Sequence, residues 1–283
     1  RLVEDRRKTV QLRASHIQAL KASLKEYFPQ ALEILSHNVT SRLAYDFLKK
    51  WPAFVEFEHA KPSTIQRFFY GHNVRSPELI EQVQQVARKS QPLTTDPAIV
   101  QSGVRLSQMH AEVIHTHNPL IEQYDRKIET VFNAHPEANL FTGVPGAGPA
   151  LAPRLLVAFG TDRSRYDAAD NVQSLSGIAP VTRQSGKTRV VYARCACPKF
   201  LRQTFHEFAR LSVAQCQWAR NYVEYYTGKG KKYHTVIRAL AFKWIRILFR
   251  CWKDRTSYDD QKHMKTLEQR GSIFATLHLQ KNS

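Results

Sequence analysis

Four apolar residues recur at seven-residue intervals near the start of the chain: Val3, Val10, Ile17 and Leu24. Leu20 widens the stripe, and Arg, Lys, Gln and Glu fill the other faces. That period belongs to a helix and not to a strand, whose apolar positions alternate. It predicts a helix over residues 1–28, closed by Pro29. Further helical signals follow. A second stretch is expected from Ala31 to about Phe57, interrupted at Pro52. A third opens at Pro62-Ser63-Thr64, with Ser63 or Thr64 as its cap. A fourth opens at Ser76-Pro77-Glu78, with Ser76 as N-cap and Pro77 as first helical residue. The proline- and threonine-rich Gln91–Pro97 reads as a linker. A long helical run over 100–133 follows, with a restart at Asn118-Pro119. Beyond that restart Ile121, Tyr124, Ile128 and Val131 hold heptad a and d positions, a seam for a partner helix in this chain or in a second copy.

A second unit starts near His135-Pro136. It opens with Phe141-Thr-Gly-Val-Pro-Gly-Ala-Gly-Pro149, then a short apolar helix from Ala150 to Phe159 stopped by Gly160. Another helix is expected from Tyr166 to Ser176, stopped by Gly177. Thr188–Ala193 is the one convincing strand-like run in this half. Pro198 opens a long amphipathic helix, and Gly228-Lys-Gly-Lys-Lys232 breaks the pattern before a last helix over Tyr233–Trp252. The expected fold class is therefore mainly α. Residues 1–135 form a helical bundle or coiled-coil region, and residues 136–283 a mostly helical domain with a glycine turn and a small strand element.

The chain of 283 residues carries a formal net charge of +18, placed unevenly. Residues 1–135 hold 18 Lys and Arg against 14 Asp and Glu, a net of +4, which leaves +14 on residues 136–283. Such a balance points to a polyanionic partner that meets the second half. Four cysteines do not make a disulfide scaffold, and Cys195-Ala-Cys197 has too short a spacing for a zinc knuckle. No apolar run approaches the ~20 residues of a membrane span. The chain begins at Arg1 without a signal peptide, and reads as a fragment that starts inside a helix.

Three constellations are candidates for chemistry. The turn Gly143–Gly148 before a helix resembles the hairpin of a helix-hairpin-helix element, in which Gly146 and Gly148 would let the backbone approach a phosphate. It lacks the preceding strand of a dinucleotide fingerprint and the Gly-Lys-Ser/Thr of a Walker loop. In Pro180–Arg189, Ser185 precedes a glycine in a polar loop with Arg183, Lys187, Arg189 and Arg194 nearby. A serine attacking a phosphodiester must lose its proton and meet a phosphate whose charge is neutralised, and guanidinium groups suit the second task. Lys229, Lys231 and Lys232 form a basic loop suited to a nucleic-acid backbone. Carboxylates and histidines are too scattered for a metal site, and no cofactor is expected in this chain.

Three stretches together resemble one family: Val144-Pro-Gly-Ala-Gly148; Leu175-Ser-Gly-Ile-Ala-Pro180 leading into Arg183-Gln-Ser-Gly-Lys187; and Arg238-Ala-Leu-Ala-Phe-Lys-Trp-Ile-Arg-Ile-Leu248 with Cys251-Trp252. They are similar to the C-terminal domain of the IS-one-ten type of insertion-sequence transposases, and Arg1-Leu-Val-Glu-Asp-Arg-Arg7 resembles the long helix after that family's N-terminal domain. The resemblance covers residues 1–260 in order. It implies a RuvC-like acidic domain that binds Mg2+ and should lie before residue 1, a coiled-coil region, and a serine domain. It further implies DNA recombination through a covalent serine–DNA link at Ser185, a structured guide RNA, assembly into a dimer or tetramer, and a bacterial cytoplasmic, nucleoid-associated location. Two other readings compete: a nucleic-acid-binding and oligomerisation module without chemistry, and a helix-hairpin-helix protein of DNA repair.

Overall fold

In the computed structural model, which describes residues 1–36 and 38–276, the first heptad stripe lies on α1 (Leu2–Tyr27). Val3, Leu20 and Leu24 are buried and Val10 and Ile17 half-buried. Around α1 the chain folds α2 (Gln30–Ile34), α3 (Arg42–Lys50), α4 (Phe54–Glu58), α5 (Pro62–Gly71), α6 (Pro77–Lys89) and α7 (Pro97–Asn133). The unit Arg1–Asp125 is built from these and has an aromatic centre. There Trp51 meets Phe57 edge to face at 5.3 Å, and Phe28 meets Phe54 the same way at 5.9 Å. Such pairs add about 0.5–1.5 kcal/mol each beyond their buried area.

Two expectations about helix ends are corrected. Ser76 does cap α6, accepting from the Leu79 N–H at 3.3 Å. α5, by contrast, starts at Pro62 with Lys61 as its cap, because proline at the first helical position is already set at a helical φ. Pro119 does not restart a helix but sits inside α7. An interior proline costs about 3 kcal/mol, and tertiary contacts hold the helix through it. Arg13 Nη1 donates to Asn118 Oδ1 at 2.7 Å, and Asn118 Nδ2 donates to the Thr40 carbonyl at 2.8 Å. Of the expected heptad seam, Ile121 and Ile128 are buried, Tyr124 is half-buried and Val131 is exposed.

The unit Arg126–Ser283 contains α8 (Asn139–Thr142), α9 (Gly148–Phe159), α10 (Ala169–Leu175), β1 (Val181–Ser185), β2 (Thr188–Tyr192), α11 (Lys199–Gln215), α12 (Gln217–Gly228), α13 (Tyr233–Asp254), α14 (Asp260–Gln269) and α15 (Ile273–Thr276). The fold class is mainly α, as read from the sequence. The units divide inside α7, at Asp125/Arg126, rather than at residue 135.

The apolar face of α13 organises this unit. Ile237, Leu240, Trp244, Ile245, Leu248 and Trp252 are fully buried, packed with Phe159, Phe205 and Phe208. Each such side chain contributes about 1.5–3 kcal/mol or more of burial. The two indoles keep their N–H groups satisfied: Trp244 Nε1 donates to Ser212 Oγ at 2.8 Å and Trp252 Nε1 to the Gly160 carbonyl at 2.6 Å. Arg163 lies with its guanidinium 5.0 Å over the Trp252 ring while Nη1 donates to Glu137 at 2.6 Å.

Candidate nucleic-acid interface

The segment Leu175–Pro198 leaves the helical core, forms the hairpin and returns. Its base is fixed on both sides. Gln173, only 1 % exposed, accepts the Ile178 and Ala179 N–H groups on its carbonyl and donates from Nε2 to the Phe242 carbonyl at 2.8 Å. Gly177 has φ 69, and a Cβ there would lie 2.5 Å from Cys197 Sγ, so only glycine lets the entering and leaving segments come this close. Arg202 Nη2 then donates to the Arg194 and Cys195 carbonyls, the latter at 2.9 Å. The base is thus clamped, whereas all of β2 is exposed.

β1 and β2 pair antiparallel, with Val181 opposite Tyr192, Arg183 opposite Val190 and Ser185 opposite Thr188. The turn is Gly186-Lys187, with Gly186 at φ 56, the conformation that a two-residue hairpin turn gives to glycine. Ser185, expected in a loop, is therefore the last residue of a strand at the exposed tip. The register sorts the expected cations. Arg183, Ser185, Thr188 and Tyr192 share one face, while Gln184, Arg189 and Val191 share the other. Arg183 lies 5.9 Å over the Tyr192 ring, and Lys187 stands in the turn beside Ser185. Arg194 lies beyond the hairpin, in a cleft of about 430 Å³ lined by Tyr166, Asn171, Ser174 and Cys197. The structure thus places Arg183 and Lys187 with Ser185 and sets Arg189 and Arg194 apart from them.

The two glycines of the 143–148 turn differ. Gly146, φ 84, is packed on α11: its N–H donates to Gln215 Oε1 at 2.9 Å, and a Cβ would lie 2.5 Å from the Ser212 nitrogen. Gly148, φ 54, begins α9 with open space around it. In the basic loop, Lys229 folds back 4.2 Å over the Tyr225 ring and donates to its hydroxyl, whereas Lys231 and Lys232 are exposed.

A groove of about 620 Å³ lies between the hairpin base and the outer faces of α12 and α13. Thr235, Arg238, Ala239, Phe242 and Arg246 line it at helical three- and four-residue spacing, with Lys243 beside them and Tyr192, Val191 and Tyr222 from neighbouring elements. No carboxylate lines it. Lys243 Nζ sits 5.4 Å over the Tyr222 ring, and burial, then the nearby Arg246, holds its ammonium below the usual lysine range. Burial likewise pushes the Tyr222 hydroxyl up to about 12. These residues were not singled out as a site in the sequence. Their signal was the cation spacing 238, 243, 246 on α13, with Arg238 bordering the apolar stripe and Lys243 and Arg246 on the outer face.

Among the described residues no group of three or more His, Cys, Asp or Glu could hold a metal ion, and no helix is long and apolar enough to cross a membrane. The four cysteines are free.

Residues 138–224 match the family described as Transposase IS116/IS110/IS902, a stretch that runs from α8 through the hairpin into α12. The chain is similar to the mini-circle putative transposase for IS117 of Streptomyces coelicolor, at 27% identity over 144 residues, 51% of this chain and 35% of the relative. It is 28% identical over 141 residues to the insertion element IS110 uncharacterized 43.6 kDa protein of the same organism, 48% of this chain and 34% of the relative. It is also 28% identical over 152 residues to the pilin gene-inverting protein of Moraxella bovis, 50% of this chain and 46% of the relative. The chain spans about a third to under a half of the length of these curated relatives. The glycine turn, the Ser185 hairpin and α11 all lie inside the matched stretch, so it is residues 138–224 that are similar to the IS116/IS110/IS902 family of transposases.

Proposed function

We propose that this chain is the serine-bearing part of an insertion-sequence DNA transposase. Ser185 Oγ attacks a DNA phosphorus, the P–O bond to one deoxyribose oxygen breaks, and that oxygen leaves with a proton as a hydroxyl. The phosphoserine link is resolved when a hydroxyl of a second strand attacks the same phosphorus and returns the serine. Arg183 and Lys187 neutralise the developing charge on the phosphoryl oxygens, while Arg189 and Arg194 hold the flanking backbone. Lys231 and Lys232 add backbone contacts, as does the open end of α9 at Gly148. Mg2+ and a guide RNA enter the reading through the family resemblance, as do a dimeric or tetrameric assembly and a cytoplasmic, nucleoid-associated setting.

The observation that carries this reading is the placement of Ser185 at the exposed tip of a clamped hairpin, on the face of Arg183 and beside Lys187. Its test is a covalent adduct. Wild type and Ser185→Ala, each joined to a RuvC-like domain of the family, are incubated with labelled element-end DNA, guide RNA and Mg2+, then denatured. A labelled protein band in wild type that is lost in Ser185→Ala supports the reading. A band that survives the substitution moves the nucleophile elsewhere.

One observation favours a second reading, a nucleic-acid-binding module without chemistry of its own. Ser185 is exposed at the hairpin tip, and among the described residues no side chain is hydrogen-bonded to its Oγ. No adduct in either protein, with DNA binding intact, selects that reading.

A further inference from the structure

The groove on α13 is a second basic surface, separate from the hairpin tip, and all three of its cations lie after residue 224, outside the stretch matched to the family. We propose that this groove holds an unpaired DNA strand, with a base against Phe242 and phosphates on Arg238, Lys243 and Arg246. The choice of DNA rests on the function proposed above; the groove itself does not.

The composition separates this occupant from others. An apolar ligand would not need three cations around a mouth without carboxylates. None of the three cations takes part in the ion pairs of the described residues, so their charge is available to a ligand. Guanidinium and ammonium groups alone would suit any phosphate. Rings beside them suit a strand whose base faces are uncovered, because sequence-tolerant single-strand sites combine a cationic track with aromatic platforms. Phe242 is half-buried and Tyr192 exposed, so each keeps part of its ring open. Duplex DNA keeps its base faces stacked and presents backbone and base edges to such a surface, which leaves the rings without a stacking partner.

Length also fits. From Arg238 to Arg246 the helix rises about 12 Å at about 1.5 Å per residue. That equals roughly three to four stacked nucleotides at about 3.4 Å each. The hairpin base forms one wall through Val191 and Tyr192, so a strand lying in the groove passes the root of the same hairpin that carries Ser185. A strand opened for cleavage would be held there while its phosphate is presented at the tip. Lys243, exposed at the groove with its ammonium over the Tyr222 ring, adds a second signature. It is held below the usual lysine range by burial and by Arg246, and an incoming phosphate restores its proton affinity.

The test is fluorescence anisotropy of the full chain with a labelled single strand of mixed sequence (~15 nucleotides, within single-strand site sizes) against the same sequence as duplex and as RNA. Wild type is expected to hold the DNA single strand about ten-fold tighter than the duplex. Arg238→Ala with Arg246→Ala is expected to reduce the slope of log K against log salt by about 1.4, two phosphates at about 0.7 each. Phe242→Leu, which keeps apolar contact with the core but removes the ring, is expected to weaken single-strand binding about ten-fold and duplex binding little. A duplex preference in wild type overturns the proposal, as does an unchanged salt slope in the double variant. So does RNA bound ten-fold tighter than DNA, which would assign the groove to RNA. Thermal melts verify that each variant is folded. Ser185→Ala tells the two proposals apart. If it abolishes the adduct and leaves strand binding unchanged, both stand; adduct formation that survives Ser185→Ala while groove variants lose the strand sinks only the nucleophile.

Discussion

Arg183 and Ser185 project from one face of the hairpin, two residues apart on the same strand, whereas Arg189 projects from the other. Two guanidinium groups that look equivalent in the sequence are therefore not equivalent for a phosphate on Ser185. Removing a preorganised charge donor from a reacting centre costs about 10²–10³ in rate. Arg183→Ala is expected to slow adduct formation about a hundred-fold and to change DNA affinity about two-fold or less. Arg189→Ala is expected to do the reverse, with weaker binding and a rate near wild type at saturating DNA. Single-turnover adduct kinetics at saturating and limiting DNA separate the two. Equal rate losses in both variants would remove the facial assignment.

Gly146 and Gly148 give a contrast in stability. Both have positive φ, which costs an alanine about 1–2 kcal/mol. At Gly146 the added Cβ also meets the α11 backbone, 2.5 Å from the Ser212 nitrogen and 2.7 Å from its Cα, where nothing flexible can give way. Gly148→Ala is expected to lower the melting temperature by about 2–8 °C, which is about 1–2 kcal/mol at about 2–4 °C per kcal/mol for a unit of this size, and Gly146→Ala by more than Gly148→Ala. Differential scanning calorimetry measures both. Equal shifts would show that the turn relaxes away from α11.

The contrast also shows where sequence reading stops. A glycine needed because a phosphate comes close and one needed because a helix comes close are the same letter, since both positions require only that no Cβ be present. The apolar periods of α1 and α13 were legible, and Ser76-Pro77 opens α6 as its chemistry dictates, whereas the expected seam of α7 buries only Ile121 and Ile128. β1 was not legible. Val181-Thr-Arg-Gln-Ser185 is exposed over four of its five residues, so neither face carries the apolar alternation that announces a strand. The groove was hidden for a related reason. Reading α13 for its core positions discards Arg238, Lys243 and Arg246, and the wall that makes them a groove comes from Val191 and Tyr192, far away in the chain.

Ser212 is a small polar residue with a large neighbour. It is fully buried in α11, and its hydroxyl is the acceptor for the Trp244 indole N–H at 2.8 Å while it donates to the Ala209 carbonyl at 2.8 Å. Ser212→Ala removes one oxygen and strands a buried N–H donor, which costs about 1–3 kcal/mol. Urea unfolding followed by tryptophan fluorescence is expected to show a lower midpoint with an unchanged slope. A loss below about 0.5 kcal/mol, the bottom of the range for an ordinary hydrogen bond, would mean that water or a shifted backbone group takes over as acceptor.

Three histidines set the pH response. His206 is held below the usual histidine range by burial first, then by His234 and Arg238; His263 by burial, with Arg270 and Lys243 adding to it against Asp260; and His110 by burial and then His16. A histidine whose folded pKa lies below its unfolded value of about 6.5 binds protons more readily in the unfolded state. Stability is therefore full above about pH 7 and falls as pH drops through 6.5 toward the lowered folded values. Most carboxylates titrate lower, near pH 4, so histidines dominate the window from about pH 7.5 to 5.5. The melting temperature is expected to fall across it at low salt. His263→Gln, which keeps a polar side chain of similar reach beside Trp218 and Tyr258 without a proton to gain, is expected to flatten part of the slope for the unit Arg126–Ser283. A melting temperature that rises as pH falls would show that proton uptake favours the folded chain, opposite to what burial of these rings dictates.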